Sequence, residues 1–442
     1  MLLALALLAS GCATYRPAPL TDDPALLAPP VAAVLARDAA VIERPFLRPA
    51  AIDMAQPLDL NAVATVAVLL NADLRAQRER AGVADAQAFA AGLLPDPTFS
   101  FGADRVLSGT DPFLALTSAL GLNLNALRTR HVAREQASSQ ARQVRLDLAW
   151  AEWQTSGQAR IQAVRVIELE KAGALARASR DSAQSVLDRM LRAAGRGDIL
   201  PDQVQAARLA AFDAADRLRI AERDLATARS ELTRQMGLPP GYPLRLAPIV
   251  VASLAPDAAS LFAVAVRERT DLQALRAGYS AEEAAVHKAV LDQFPTLDLS
   301  LNGARDTAGN VTLGPSLAFT LPLWNRNRGG IAIERATRAA LRAEYEARLF
   351  KTRADIAAVI DSLVVLRRQR EAILRDLPAV ERFAQANRRA ADRGDLSLAT
   401  AMNAEQAARD KETLLAQAEQ GIAEQTIALE LLTGVPQESW TR

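Results

Sequence analysis

Shifted by about 197 residues, the sequence falls back into register with itself, and this constrains the fold more than any other feature. Arg196-Gly197-Asp198-Ile199 recurs as Arg393-Gly394-Asp395-Leu396, and Gly237-Leu238-Pro239 recurs as Gly434-Val435-Pro436. One residue further out, Asp73-Leu74 matches Asp271-Leu272, and Pro97-Thr98-Phe99 matches Pro295-Thr296-Leu297. Four landmarks in register over so long a span mark an internal duplication. The period is far too long for a solenoid repeat, so each copy is a substantial structure used twice.

Half of the 442 residues are hydrophobic while only 4% are aromatic, and alanine is abundant. That balance favours long helices over large mixed cores. Acids (51) and bases (52) cancel, which removes bulk-charge binding to nucleic acid. One cysteine and two distant histidines, His131 and His287, exclude a disulfide framework or a thiolate metal site within one chain. No cofactor or metal is expected.

The cysteine is Cys12. It follows an apolar run, Leu2 to Ala9, too short to span a bilayer, and the small residues Ser10 and Gly11. This is the layout of a lipoprotein signal over residues 1–11, with Cys12 as the acylated (palmitate-bearing) first residue. Residues 12–57, rich in proline, read as an extended lipidated tether. No later segment approaches the ~20 apolar residues of a transmembrane helix, so any membrane crossing must use strands.

The first copy is expected over 58–237, a turn-rich link over 238–256, the second copy over 257–434 and a short tail over 435–442. Each copy reads as helix, two strands, long helix, turn, helix. Arg128 to Ala193 contains no proline, and Leu146, Trp150, Trp153, Gly157, Ile161, Val164 and Ile167 step by three and four, the mark of a helix of ~100 Å. The second copy repeats this from Ile331 to Ala391, with a bend expected at Pro378. The returning helix carries two alanine rows, Ala206-Ala210-Ala214 and Ala207-Ala211-Ala215, suited to close helix packing.

Between the helices the period changes to two, over about 97–104, 116–125, 296–302 and 311–323. Phe99, Phe101 and Ala103 alternate with Thr98, Ser100, Gly102 and Asp104. Leu116, Leu120, Leu122 and Leu124 alternate with Thr117, Ala119, Gly121, Asn123 and Asn125. Leu297, Leu299 and Leu301 alternate with Asp298, Ser300 and Asn302, and the last segment runs from Val311 to Leu323 in the same way. Membrane barrel strands read like this, apolar to lipid and polar to the lumen. Four strands cannot close a barrel, and open edges are intolerable in lipid, so the chain must oligomerise. A dimer gives eight strands and a trimer twelve. The small, polar inward residues suit an open lumen.

Several residues carry a family resemblance. They are Leu94-Pro95 and Phe294-Pro295 ahead of the strands, Leu321-Pro322-Leu323-Trp324-Asn325-Arg326-Asn327-Arg328-Gly329 after the last one, Leu377-Pro378-Ala379, the two Gly-Asp turns, and Leu431-Leu432-Thr433-Gly434. With the signal and the duplication, they make the chain resemble the TolC family of outer-membrane efflux ducts over essentially its whole mature length. The resemblance implies a mainly α protomer with four strands, a homotrimer with a twelve-stranded barrel in outer-membrane lipid, and a coiled-coil-like α-helical tunnel crossing the periplasm. It implies a passive conduit, partnered by a periplasmic adaptor and an inner-membrane pump. The Pro-Leu-Trp-Asn-Arg-Asn-Arg-Gly stretch is similar to members serving heavy-metal exporters, while other members carry drugs or act as type I secretion ducts. A helical envelope scaffold without a pore is the competing class.

Nothing in the sequence supports catalysis. Gly195-x-Gly197 lacks the strand–helix context of a phosphate loop, and no Ser-His-Asp or His-Glu-x-x-His arrangement occurs. The Arg-Gly-Asp triplets read as turns, glycine permitting the reversal and aspartate able to cap the next helix. Arg196, Gly197, Asp198, Asp202, Arg393, Gly394 and Asp395 are the candidates for a periplasmic tip that meets the adaptor or gates the entrance. The family's gate carries two aspartates six and nine residues after the second glycine. Here those positions hold Thr400 and Asn403.

Overall fold

The computed structural model describes residues 15–22, 27–105, 107–108, 114–249 and 257–440. Cys12 lies outside them. A short helix α1 (Ala32–Ala40) precedes the first repeat, which comprises α2 (Leu60–Leu70), α3 (Ala72–Ala91), β1 (Thr98–Asp104), β2 (Ala115–Asn123), α4 (Leu124–Gly195) and α5 (Pro201–Gln235). The second repeat has the same order: α6 (Ala258–Glu268), α7 (Thr270–Leu291), β3 (Leu297–Arg305), β4 (Val311–Phe319), α8 (Arg328–Asp392) and α9 (Leu398–Thr433). A 3-10 turn, Gln437–Ser439, follows.

Equivalent residues build the same corner in both repeats. Asp59 and Asp257 cap the short helices, accepting from Ala62 N (2.7 Å) and Ser260 N (2.8 Å). The helix then breaks at Asn71 or Arg269. Asn71 Nδ2 donates to Gln235 O (3.0 Å) and Arg269 Nη1 to Leu432 O (3.1 Å), the matching carbonyls at the ends of the returning helices. Arg78 Nη2 and Arg276 Nη2 reach back to Val68 O (2.6 Å) and Val266 O (3.1 Å). These bonds satisfy carbonyls that a helix end leaves orphaned.

Gly237 and Gly434 seal the corners in left-handed conformations, φ 67° and 78°. A Cβ at Gly237 would sit 2.3 Å from Leu70 O, and one at Gly434 3.0 Å from Arg269 Cα. At Gly197 the conformation is similar, but nothing lies within 4 Å. Gly237→Ala is therefore expected to combine the left-handed penalty of ~1–2 kcal/mol with a backbone collision, whereas Gly197→Ala incurs the penalty alone. Thermal unfolding of the two variants checks this. Equal losses would mean that the corner is looser than described.

At 1.5 Å per residue, α4 (72 residues) is ~108 Å long and α8 (65 residues) ~98 Å. Helix α8 continues through Pro378. The first core lies where α2, the middle of α4 and the end of α5 meet, around Val63, Val66, Ala159, Ala163, Leu232 and Met236. Its counterpart gathers Leu261, Ala265, Ile356, Leu363, Ile422 and Leu429. On α5 the buried row is Val204, Ala207, Ala211, Ala214 and Leu218, a three–four seam drawn from both alanine rows, while Ala206 and Ala210 face outward.

One expectation needs correction. From Ala32 onward the tether is not extended: Leu35, Ala39, Ile42, Leu47 and Ile52 are buried against the body. Phe46 packs edge-on against Trp153 with centroids 4.9 Å apart, and Arg48 pairs with Glu438 (2.6 Å) near the other end of the chain. The prolines punctuate a packed segment here, because enough apolar residues lie between them to bury it. The link after Gly237 is also docked: Leu58 exchanges backbone bonds with Arg245 and Ala247, both 2.8 Å.

Candidate channel wall and periplasmic tip

The four strands form an antiparallel meander in the order β1-β2-β3-β4, so β1 and β4 are open edges. In register, Phe99, Leu120, Leu301 and Pro315 form one row, and Leu122, Leu299 and Leu317 another. Phe99, Phe101, Leu120, Leu299, Leu301, Val311, Leu313, Leu317 and Phe319 are all exposed. One face of the sheet is thus a continuous apolar surface with nothing on it.

The opposite face is small and polar. Thr98, Gly121, Ser300 and Ser316 form one row, and Ser100, Ala119, Asn302 and Gly314 the next. Here glycine makes room for threonine: a Cβ at Gly121 would lie 2.7 Å from Thr98 Oγ1, and one at Gly102 2.6 Å from Thr117 Oγ1. The face carries carboxylates at both ends, Asp298 beside Asn123 and Asp104 beside Ala115, and no lysine or arginine; the one arginine of the strands, Arg305, ends β3 on the opposite face.

The strand ends differ from the sequence expectation. Leu124 and Asn125 begin α4 rather than ending β2, because Asn123 Oδ1 caps the helix at Ala126 N (2.7 Å). β4 stops at Phe319, ahead of Pro322.

At the far ends of the rods the two turns are near copies. Gly197 (φ 79°) and Gly394 (φ 83°) reverse the chain. Asp198 N bonds Ala193 O (3.0 Å) and Gly197 N bonds Ala194 O (2.9 Å), while Asp395 N bonds Ala390 O (2.9 Å) and Gly394 N bonds Ala391 O (3.1 Å). This is the Schellman closure, which needs the left-handed residue glycine supplies. The aspartates do not cap the following helices as expected. Arg196 Nε binds Asp198 at 2.8 Å and Arg393 Nε binds Asp395 at 2.9 Å, so each triplet closes on itself as an exposed ion pair. Helix α5 starts with Pro201 and no side-chain cap, whereas Ser397 Oγ caps α9 at Thr400 N (3.1 Å). Asp202 lies in the first turn of α5, and Asn403 is exposed one turn into α9.

Just behind the turns, contacts join the two repeats. Met402 of α9 packs on the Ala183, Leu187, Val204 and Ala207 cluster of the first repeat. Glu405 accepts from Ser182 Oγ on α4, Arg388 Nη1 on α8 and Arg409 Nη2 on its own helix, each at 3.1 Å. Sequence reasoning missed Glu405. Its one legible signal is an acid on the buried side of an alanine row, Ala401-Ala404-Ala408, where a charge must find partners.

The geometry is an amphipathic four-stranded sheet at one end of two ~100 Å hairpins, with closed turns at the other. The model of the family described as outer membrane efflux protein matches residues 261–435, most of the second repeat. The second repeat thus carries the sequence pattern of the outer membrane efflux protein family. The first repeat copies the fold of the matched one. No curated protein matches the sequence. Among solved structures the chain is similar to the outer membrane protein VceC from Vibrio cholerae (17% identity, 85% of this chain and 96% of that one, TM-score 0.71). It is likewise similar to the CmeC outer membrane channel of Campylobacter jejuni (12%, 85% of each chain, TM-score 0.73). The open state of the MtrE outer membrane channel of Neisseria gonorrhoeae matches at 17% identity over 85% of this chain and 89% of that one, TM-score 0.70. These likenesses place the four strands and the paired rods of this chain in the TolC-like fold. No helix among its described residues is long and apolar enough to cross a membrane.

Proposed function

We propose that three copies of this chain close a twelve-stranded barrel in the outer membrane and continue it as a helical tunnel into the periplasm. The duct is passive, and cargo reaches it from an inner-membrane pump through a periplasmic adaptor. One observation carries the reading: the sheet has an apolar face with nothing on it and two open edges, a combination lipid tolerates only after closure. Exposed apolar residues along the rods, Leu209, Phe212 and Ile220 on α5 and Phe350, Val365 and Phe383 on α8, supply surfaces for neighbouring copies. Purified protein in planar bilayers tests the proposal; a trimer that never conducts, even with its tip loosened, would instead be a scaffold.

The tip is assigned to adaptor docking and gating. Removing Glu405 takes away charge-assisted bonds that tie α9 to α4 and α8, about 2 kcal/mol per protomer for a partly buried network. Glu405→Ala is expected to raise single-channel conductance, and an unchanged conductance would remove Glu405 from the gate. Gly394→Val with Asp395→Asn is expected to abolish crosslinking to the adaptor, because both the left-handed turn and its ion pair are lost. Retained crosslinking would place the docking surface elsewhere.

The anchor is assigned to Cys12. Cys12→Ala is expected to lose its acyl label, and globomycin to accumulate precursor. Undiminished labelling in the variant would refute the anchor.

A further inference from the structure

The segment after β4 holds backbone strain. Arg326 (φ 46°) and Asn327 (φ 50°) are both left-handed, the only non-glycine residues with positive φ among those described. Consecutive left-handed residues are rare without glycine, so the surroundings must hold them. Asn327 Nδ2 donates to Ala289 O (2.9 Å) on α7, Arg326 Nε to Pro322 O (3.2 Å) and Arg328 Nη2 to Trp324 O (3.0 Å). The bonds fix a rigid turn that presents Trp324, 82% exposed, with exposed Leu321 and Leu323 before it and exposed Arg326 and Arg328 after it.

Neither arginine pairs with a carboxylate among the described residues, whereas Arg338, Arg342 and Arg388 further along α8 do. Each spends one N–H on the turn and keeps other donors of its guanidinium fork. The first turn of α8 has no side-chain cap, and a Cβ at its Gly329 would meet nothing within 4 Å. The apolar part of the turn continues the exposed face of β4, Leu317 and Phe319.

We propose that the Trp324–Arg328 turn binds the anionic headgroup of a phospholipid in the periplasmic leaflet. The proposal rests on the barrel reading. The indole and the leucines sit at the acyl boundary, and the two guanidinium charges attract the phosphate and donate to it through N–H groups the turn leaves free. Strain in the turn is kept because it places aromatic and cationic groups on one rim.

The test uses the full-length protein in vesicles of equal phosphatidylcholine and phosphatidylglycerol, with bromine on one lipid or the other. Trp324 quenching is read as the difference between wild type and Trp324→Phe. Each arginine beside an anionic surface contributes about 1 kcal/mol, so phosphatidylglycerol should be enriched about fivefold per arginine. The enrichment should vanish in Arg326→Gln/Arg328→Gln while quenching by brominated phosphatidylcholine persists. Arg326→Lys/Arg328→Lys should keep most of it. If the Lys and Gln pairs behave alike, or wild type shows no preference, the arginines serve only the turn and the proposal falls. Abolition by millimolar inorganic phosphate would show a free-ion site and overturn the lipid assignment. Absence of quenching by either lipid would overturn the barrel reading as well, which separates the two failures.

Discussion

Leu301→Arg is expected to cost ~2–4 kcal/mol and to prevent recovery of folded trimer from the outer membrane. Leu301 is the middle residue of β3 (Leu297–Arg305) and pairs with Leu120, near the middle of β2, so the pair lies nearest the bilayer midplane. Its neighbours across the sheet, Leu120 and Pro315, offer a guanidinium no partner. Leu299 and Leu122 lie one residue pair closer to the periplasmic end, and arginine there should be milder, because a long side chain can snorkel to the headgroups. The control belongs on the other face. Ser300→Arg faces the polar side and should fold while shifting ion selectivity. Asn123 is a poorer control, because its side chain caps α4 and any substitution also loses ~1 kcal/mol of capping. Urea unfolding of refolded protein in detergent or vesicles measures all three. Equal tolerance of arginine at positions 300 and 301 would argue against membrane strands.

The contrast between these neighbours shows why the sheet was legible in the sequence. A period of two leaves one residue to lipid and the next to the lumen, and no other arrangement satisfies both at once. Helix lengths were equally legible, because proline-free stretches with a three–four stripe have few alternatives. The turns at Gly197 and Gly394 could be placed from the repeated triplet, but the fate of Asp198 and Asp395 could not. An aspartate after such a glycine can cap the next helix or fold back on a nearby arginine. Spacing alone does not decide between them, and here Arg196 and Arg393 take them. The packed N-terminal segment was hidden for a related reason. Its prolines carry the strong local signal, while its partners Trp153, Glu152 and Glu438 lie far along the chain. Glu405 escaped likewise, since two of its partners are on other helices.

Glu152 gives the second large effect expected. It is 2% exposed in the middle of α4, where a lone carboxylate would be very costly to desolvate. Two arginines from different segments compensate it. Arg78 on α3 donates through Nε (3.0 Å) and Nη2 (2.7 Å) to one oxygen, and Arg44 of the N-terminal segment binds both oxygens through Nε and Nη2. The hydrogen bond to Glu152 raises the pKa of Arg44, which keeps its charge. Replacing both arginines by Gln leaves the carboxylate buried without a charge partner, and the loss should be ~3–5 kcal/mol at neutral pH. Arg78→Gln or Arg44→Gln alone should cost less, since one guanidinium remains and each is about a third exposed. The pH dependence separates lost charge compensation from lost packing. Without partners, burial penalises the charged form of the carboxylate. The double variant should therefore regain stability relative to wild type toward acidic pH, where the carboxylate can be neutral, and lose it again toward neutral pH. Glu152→Gln in the double-variant background should remove this slope and restore part of the stability. If the double variant loses the same stability at pH 5 as at pH 8, the cluster acts through packing and not through charge.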